Sequence, residues 1–100
     1  MNLRISKNQF RFRITKEELS QLINGERLEE SASHIIFSIT PAESGRPLFL
    51  DDKDGRIDLT VSTLELEELG RPVQEGLDVM LGDIRVVLEV DIATRSHSRA

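Results

Sequence analysis

The feature that most constrains the fold is a change of hydrophobic period, from two to 3.6, at Thr15. Apolar and cationic residues alternate in Phe10-Arg11-Phe12-Arg13-Ile14, which is the pattern of a strand with one buried face. Thr15 and Glu18 match a capping box, in which each side chain bonds the backbone amide of the other residue. Gly25 supplies the left-handed residue that ends many helices. The stretch therefore predicts a strand that leads directly into a helix at about residues 16–24.

Other segments show strand patterns separated by turn signals. Asp54-Gly55 and Gly82-Asp83 are pairs that close two-residue hairpins, and Pro41 is expected to end the strand before it. Residues 27–31 are predicted to be at most an edge strand or a connection. Ser62, with the capping-box sequence that follows it, predicts a short helix at about residues 63–69. The predicted strands, besides the one at 10–14, cover residues 2–6, 33–40, 48–50, 56–62, 77–81 and 84–92.

These elements predict an α+β fold, built mostly from an antiparallel β-sheet of about seven short strands that forms an open barrel or a sandwich. Residues 1–93 are expected to form a single domain, and the polar residues 94–100 a flexible C-terminal tail. No internal repeat is visible in the sequence.

Composition excludes several classes of function. The chain has no cysteine, so it has no disulfide framework and no thiolate metal site. It has no apolar run of the roughly 18 residues that a membrane span requires, and a cytoplasmic location is expected. The net charge of −5 argues against broad nucleic-acid binding. The cations are unevenly distributed, however, because residues 1–16 contain five of them and no acid.

The candidate site is a charged sheet face. Arg4, Arg11 and Arg13 are predicted to lie on the outer faces of the N-terminal strands, and Glu89 and Asp91 on the outer face of the last strand. If these strands are neighbours, the charges form cross-strand ion pairs, which is the common role of such residues. Alternatively, the arginines bind a carboxylate or a phosphate as a shallow anion site. A metal held by Glu89 and Asp91 is a third alternative, although two ligands are few for a metal site.

Two stretches, Asn2-Leu-Arg-Ile-Ser-Lys-Asn-Gln-Phe-Arg-Phe-Arg-Ile-Thr-Lys-Glu-Glu and Val87-Leu-Glu-Val-Asp-Ile, resemble a small family of uncharacterised bacterial proteins. That family begins with a Lys-Ile-Arg-Ile-x-x-Asn-x-x-Arg-x-Arg-Leu-Thr-like run and ends near a Glu-Lys-Asp-Phe-like strand. Val90 and Ile92 stand here in place of the Lys and the Phe. The resemblance implies no specific activity. It places the recurring polar residues of the family on Arg4, Asn8, Arg11, Arg13, Glu89 and Asp91.

A second resemblance is carried by Arg13-Ile-Thr-Lys-Glu-Glu-Leu19, which is similar to the half-domain of swapped-hairpin DNA-binding antitoxins. The proline that usually precedes the lysine in those proteins is absent here. This resemblance implies a dimer that binds DNA.

Taken together, the sequence favours a non-catalytic binding or interaction module of unknown function. Its expected partner is a protein or a small anionic ligand, and no cofactor or metal is expected. A homodimer is compatible with the sequence. Two alternatives remain open: a DNA-binding antitoxin-like regulator, and a small metal- or phosphate-dependent enzyme.

Overall fold

The computed structural model describes residues 1–70 and 76–91, which form eight strands and two helices. In chain order the elements are β1 (Asn2–Ser6), β2 (Gln9–Ile14), α1 (Lys16–Ile23), β3 (Leu28–Ala32), β4 (Ile35–Ala42), β5 (Leu48–Lys53), β6 (Arg56–Ser62), α2 (Thr63–Leu69), β7 (Gly76–Leu81) and β8 (Ile84–Val90). The predicted tail at residues 94–100 lies outside the described residues.

The strands form two four-stranded sheets. Sheet A has the order β1-β2-β8-β7 and sheet B the order β3-β4-β6-β5. The outer pairs of each sheet are antiparallel, whereas the central pairs, β2·β8 and β4·β6, are parallel. The predicted α+β class with a mostly antiparallel sheet is confirmed, and neither sheet closes into a barrel. The described residues form one strand more than the seven predicted. The additional strand is β3, which pairs with β4 and lies where residues 27–31 were predicted to be at most an edge strand.

The strand-to-helix prediction at Thr15 is confirmed in detail. Thr15 Oγ1 accepts from the Glu18 amide at 3.1 Å, and Glu18 Oε1 accepts from the Thr15 amide at 2.9 Å. Gly25 follows the helix with a φ of 91°, and its amide donates to the Leu22 carbonyl at 2.9 Å. The cap of α2 differs from the prediction, because the Ser62 hydroxyl accepts from the amide of Leu64 instead of Glu65.

Pro41 does not end β4, contrary to the sequence prediction, and the strand continues to Ala42. The Ile36 amide donates to the Gly55 carbonyl of the β5–β6 turn, so even-numbered amides of β4 point toward β6. Position 41 therefore points its nitrogen toward β3, whose last pair with β4 is Leu28 with Ile39. The nitrogen of Pro41 thus points to a place that β3 does not reach. The proline therefore removes no hydrogen bond from the sheet.

The two halves of the chain have the same order of elements: a hairpin, a helix and a second hairpin. Each sheet combines the first hairpin of one half with the second hairpin of the other half. The registers also correspond, because Phe12 lies beside Leu88 in sheet A while Leu59 lies beside Ile39 at the same place in sheet B. The sequence showed no internal repeat, but the structure shows one at the level of topology.

A single apolar core joins both halves. The alternating residues of β2 and β6 point inward, and Leu19, Leu22, Leu66 and Leu69 of the two helices pack against them. Phe12, Leu22, Leu59 and Leu66 have no exposed surface. Ile23 and Leu64, also in the two helices, remain exposed. The opposite faces of the sheets carry the charged residues.

Candidate functional site

The outer face of sheet A brings three of the predicted residues into contact. β2 and β8 are parallel neighbours with Arg13 beside Glu89 and Arg11 beside Val87. Arg11 Nη1 donates to Glu89 Oε2, and Arg13 donates to Glu89 Oε1 from Nε at 3.3 Å and from Nη2 at 3.2 Å. The sequence analysis made this contact conditional on neighbouring strands, and β2 meets that condition because it lies beside β8. Glu89 holds both guanidinium groups at fixed positions, with one carboxylate oxygen for each.

Arg4 adds a third cation without adding an acid. It lies directly opposite Arg11 in the β1·β2 register, and it forms no ion pair within residues 1–70 and 76–91. Asn2, Arg4, Arg11 and Arg13 line a depression of about 60 Å³, which we term the arginine cradle. Every side chain of the cradle carries hydrogen-bond donors, and none carries a carboxylate. Arg11 and Arg13 share the carboxylate of Glu89, and Arg4 has no ion pair within the described residues, so the cradle has an excess of positive charge.

The remaining two predicted residues lie at opposite ends of β2. Asn8 is in the β1–β2 turn with a φ of 62°, and its carbonyl accepts from the Arg85 amide at 2.8 Å. Asn8 thus shapes the turn and does not line the arginine cradle. The Asp91 amide donates to the Ile14 carbonyl at 2.7 Å just after β8. Asp91 lines a second depression, of about 200 Å³, that also includes Asn2 and Arg13.

Sheet A has a fourth outer arginine, but that residue is already paired. Arg85 Nε donates to Asp78 Oδ1 at 2.9 Å, across the β7·β8 pair. The Arg85 hydrogen bond, followed by its charge, keeps the pKa of the Asp78 carboxyl below its usual value. Because Asp78 satisfies Arg85, the unbalanced positive charge of this face lies on the side of β1 and β2.

The sequence analysis missed a second polar cluster, on the outer face of sheet B. Ser38 has no exposed surface, and its hydroxyl donates to Asp58 Oδ1 at 2.5 Å. Arg56 donates to both oxygens of Asp58, at 3.2 and 3.3 Å, and to Glu29 at 3.3 Å. The Ser38 hydrogen bond and then the Arg56 hydrogen bond lower the pKa of Asp58. The sequence did contain a signal for this cluster. Arg56 and Asp58 have opposite charges and are two residues apart on a predicted strand, so they lie on the same face.

The geometry around Glu89 does not favour the predicted metal alternative. Both of its oxygens accept from arginines, and a cation would have to displace these bonds. Within residues 1–70 and 76–91, no group of three or more side chains of the types His, Cys, Asp and Glu is arranged to hold a metal ion. In the same part of the chain, neither helix has the length and apolar composition needed to cross a bilayer.

Comparison with known proteins gives a family but no function. No curated protein and no solved structure matches the chain. The sequence matches a family of unknown function over residues 1–94, a range that contains β1 to β8 and every residue of the arginine cradle. The chain therefore belongs to the family of unknown function DUF7009.

Proposed function

We propose that this protein is a non-catalytic binding module whose arginine cradle takes an anionic group, either a carboxylate or a phosphate. The observation that carries the proposal is the lining of the cradle, which consists of three arginines and an asparagine with no acidic side chain. Guanidinium groups bind both kinds of anion through paired N–H donors. The resemblance to the bacterial family places recurring polar residues on the three arginines of the cradle, and the cytoplasmic location predicted from the sequence is part of this proposal.

Glu89 prepares the cradle without neutralising it. A guanidinium carries five N–H donors, and the contacts to Glu89 use one donor of Arg11 and two of Arg13. The other donors remain for a ligand. The guanidinium of Arg4 makes no hydrogen bond within residues 1–70 and 76–91, so all of its donors remain. Because Glu89 fixes two of the three guanidinium groups, binding an anion requires little further loss of side-chain freedom.

The size of the cradle limits what enters it. Pockets that enclose whole small molecules usually measure about 300–1,000 Å³, whereas the arginine cradle measures about 60 Å³. It can hold one carboxylate or one phosphoryl group but not a nucleotide or a sugar as a whole. Where a larger partner carries the anionic group, the remaining parts of that partner lie outside the cradle.

The test uses inorganic phosphate as the probe. We expect phosphate, titrated at constant ionic strength, to shift the ¹H–¹⁵N resonances of Asn2, Arg4, Arg11 and Arg13. In the Arg4→Ala variant the dissociation constant should rise by about tenfold, as expected for the loss of a charge-assisted hydrogen bond. Arg85→Ala is the matched control, because Arg85 lies on the same face and is paired with Asp78. Equal phosphate affinity in wild type and Arg4→Ala would refute the proposal.

A second candidate function, DNA binding, is favoured by one observation. The two halves of the chain exchange hairpins, so one chain contains the arrangement that the swapped-hairpin antitoxins form as dimers. The net charge of −5 acts against it. Binding to duplex DNA that weakens steeply with added salt and that is lost in Arg11→Ala and Arg13→Ala would support this candidate. Absence of binding at low salt would exclude it.

A further inference from the structure

β1, the edge strand that contributes Asn2 and Arg4 to the arginine cradle, differs in charge from the other edge strands. Within the described residues, the edge strands are β1 and β7 in sheet A and β3 and β5 in sheet B. Three of these edge strands contain acidic residues: Asp78 is in β7, Glu29 and Glu30 are in β3, and Asp51 and Asp52 are in β5. β1 contains Arg4 and no acid. It is therefore the edge strand whose charge suits an acidic neighbour.

The backbone groups of β1 that are free to pair can be identified from the register. The Arg85 amide donates to the Asn8 carbonyl and the Asp91 amide donates to the Ile14 carbonyl, so even-numbered groups of β2 face β8. The odd-numbered residues of β2 then face β1, and they pair with Asn2, Arg4 and Ser6. Because hydrogen bonding alternates along a strand, the N–H and C=O groups of Leu3 and Ile5 point to the open edge.

The side chains of β1 specify what pattern an added strand should have. Arg4 lies on the outer face beside the cradle, whereas Leu3 and Ile5 lie on the opposite face. Ile5 is 46% exposed, so an apolar side chain of this edge strand is accessible to an added strand. A residue placed opposite Arg4 would have its Cβ about 5 Å from that of Arg4. An acid at that position and apolar residues on either side would match both faces of the edge.

We propose that an extended acidic segment of a partner protein adds to β1 as a fifth strand of sheet A and places a carboxylate in the arginine cradle. This inference rests on the proposed function, because it assigns the cradle to one source of anion. Backbone hydrogen bonds to Leu3 and Ile5 provide affinity that does not depend on sequence, and the cradle selects an acidic side chain. The rest of the partner lies beyond the edge, as the small size of the cradle requires.

The probe is an acetylated and amidated peptide of seven residues in which glutamate alternates with valine. The decisive variant is Ile5→Pro, since proline removes an amide that points to the open edge and takes no hydrogen bond from the sheet. We expect this variant to bind the peptide at least about tenfold more weakly than wild type and to bind phosphate as wild type does. Arg4→Ala should weaken both.

Asp52→Pro is the matched control, because Asp52 has the same position in β5 that Ile5 has in β1. It should bind both probes as wild type does. A peptide that alternates lysine with valine controls for charge and should not bind. Should Ile5→Pro fail to fold, the glutamate peptide N-methylated at alternate residues tests the same point on the wild-type protein. One set of methylated positions should abolish binding and the other set should preserve it.

The outcomes separate the two proposals. Phosphate binding without peptide binding would overturn the fifth-strand inference and leave the proposed function standing. Failure of both probes would overturn both. Equal peptide affinity in wild type and Ile5→Pro would show that the peptide does not add to β1. Self-association of the protein that Ile5→Pro abolishes would assign the edge to a second copy of the chain, and would also overturn the inference.

Discussion

The outer faces of the two sheets occupy equivalent places in the fold and carry residues of opposite charge at one pair of corresponding positions. In sheet A, Arg4 lies opposite Arg11 across the β1·β2 pair. At the same place in sheet B, Asp51 lies opposite Asp58 across the β5·β6 pair. The scaffold thus accepts a pair of cations in one half and a pair of anions in the other. The architecture therefore does not require arginines at these positions.

The same comparison separates two ways of using a carboxylate. Glu89 lies between two arginines that are partly exposed, and it fixes their positions at the surface. Asp58 satisfies the hydroxyl of Ser38, which is fully buried. A buried hydroxyl without a partner is costly, whereas an exposed ion pair adds little. The carboxylate in sheet B therefore stabilises a buried group, whereas the carboxylate in sheet A contacts groups at the surface.

The largest expected effect tests whether the two halves are equivalent inside the core. Phe12 and Leu59 have corresponding positions, and neither has exposed surface. We expect Phe12→Ala to lower the free energy of unfolding by about 3–5 kcal/mol and Leu59→Ala by about 2–5 kcal/mol. Urea denaturation followed by circular dichroism measures both. Each variant should unfold in one transition, and a second transition in either would show that the sheets are separate cooperative units.

A smaller effect distinguishes the outer faces. Asp58→Ala leaves the buried hydroxyl of Ser38 without its acceptor and should destabilise the protein by about 1–3 kcal/mol. Arg11→Ala, at the equivalent place, should change the stability by about 1 kcal/mol or less. The double variant Ser38→Ala/Asp58→Ala removes both partners and should be more stable than Asp58→Ala alone. If Arg11→Ala proves the more damaging substitution, the arginines are structural and the comparison is wrong.

The smallest effect depends on pH. The pKa of Asp58 is lowered in the folded protein by its hydrogen bonds to Ser38 and Arg56, so the ionised form stabilises the fold. This stabilisation is complete above the unfolded pKa of about 3.9 and is lost as the pH falls toward the folded pKa. The stability difference between wild type and Asp58→Asn should therefore be constant from about pH 5 to 7 and shrink below about pH 4. A difference that grows on acidification would contradict the assigned direction.

Local signals predicted the elements of the fold well. The alternation in residues 10–14 and the capping box at Thr15 depend only on neighbouring residues, and both were confirmed. The contact between Arg13 and Glu89 was predicted only conditionally, because it requires two distant strands to be neighbours. The parallel direction of that pair was not predicted, since the alternation of a strand does not specify its partner or its direction.

The repeat was missed for a different reason. Corresponding positions of the two halves are similarly buried, but they often carry different residue types. Ile14 corresponds to Val61, and Thr15 to Ser62. Any apolar residue of suitable size satisfies an inward position, so the sequences of the halves can diverge while the topology stays the same. The Ser38–Asp58 contact was missed because it joins strands that the sequence did not pair.

Each sheet combines hairpins from both halves of the chain, and this has a consequence for synthesis on the ribosome. Sheet B has all of its strands once β6 has emerged, but sheet A lacks half of its strands until β7 and β8 are made. Until then, the edge of β2 that pairs with β8 is unpaired, and Arg11 and Arg13 cannot form hydrogen bonds to Glu89. A nascent chain that stops before β8 therefore carries the arginines without the organised cradle. Under the proposed function, translation completes the binding surface last, and only molecules that include β8 would bind the anionic group.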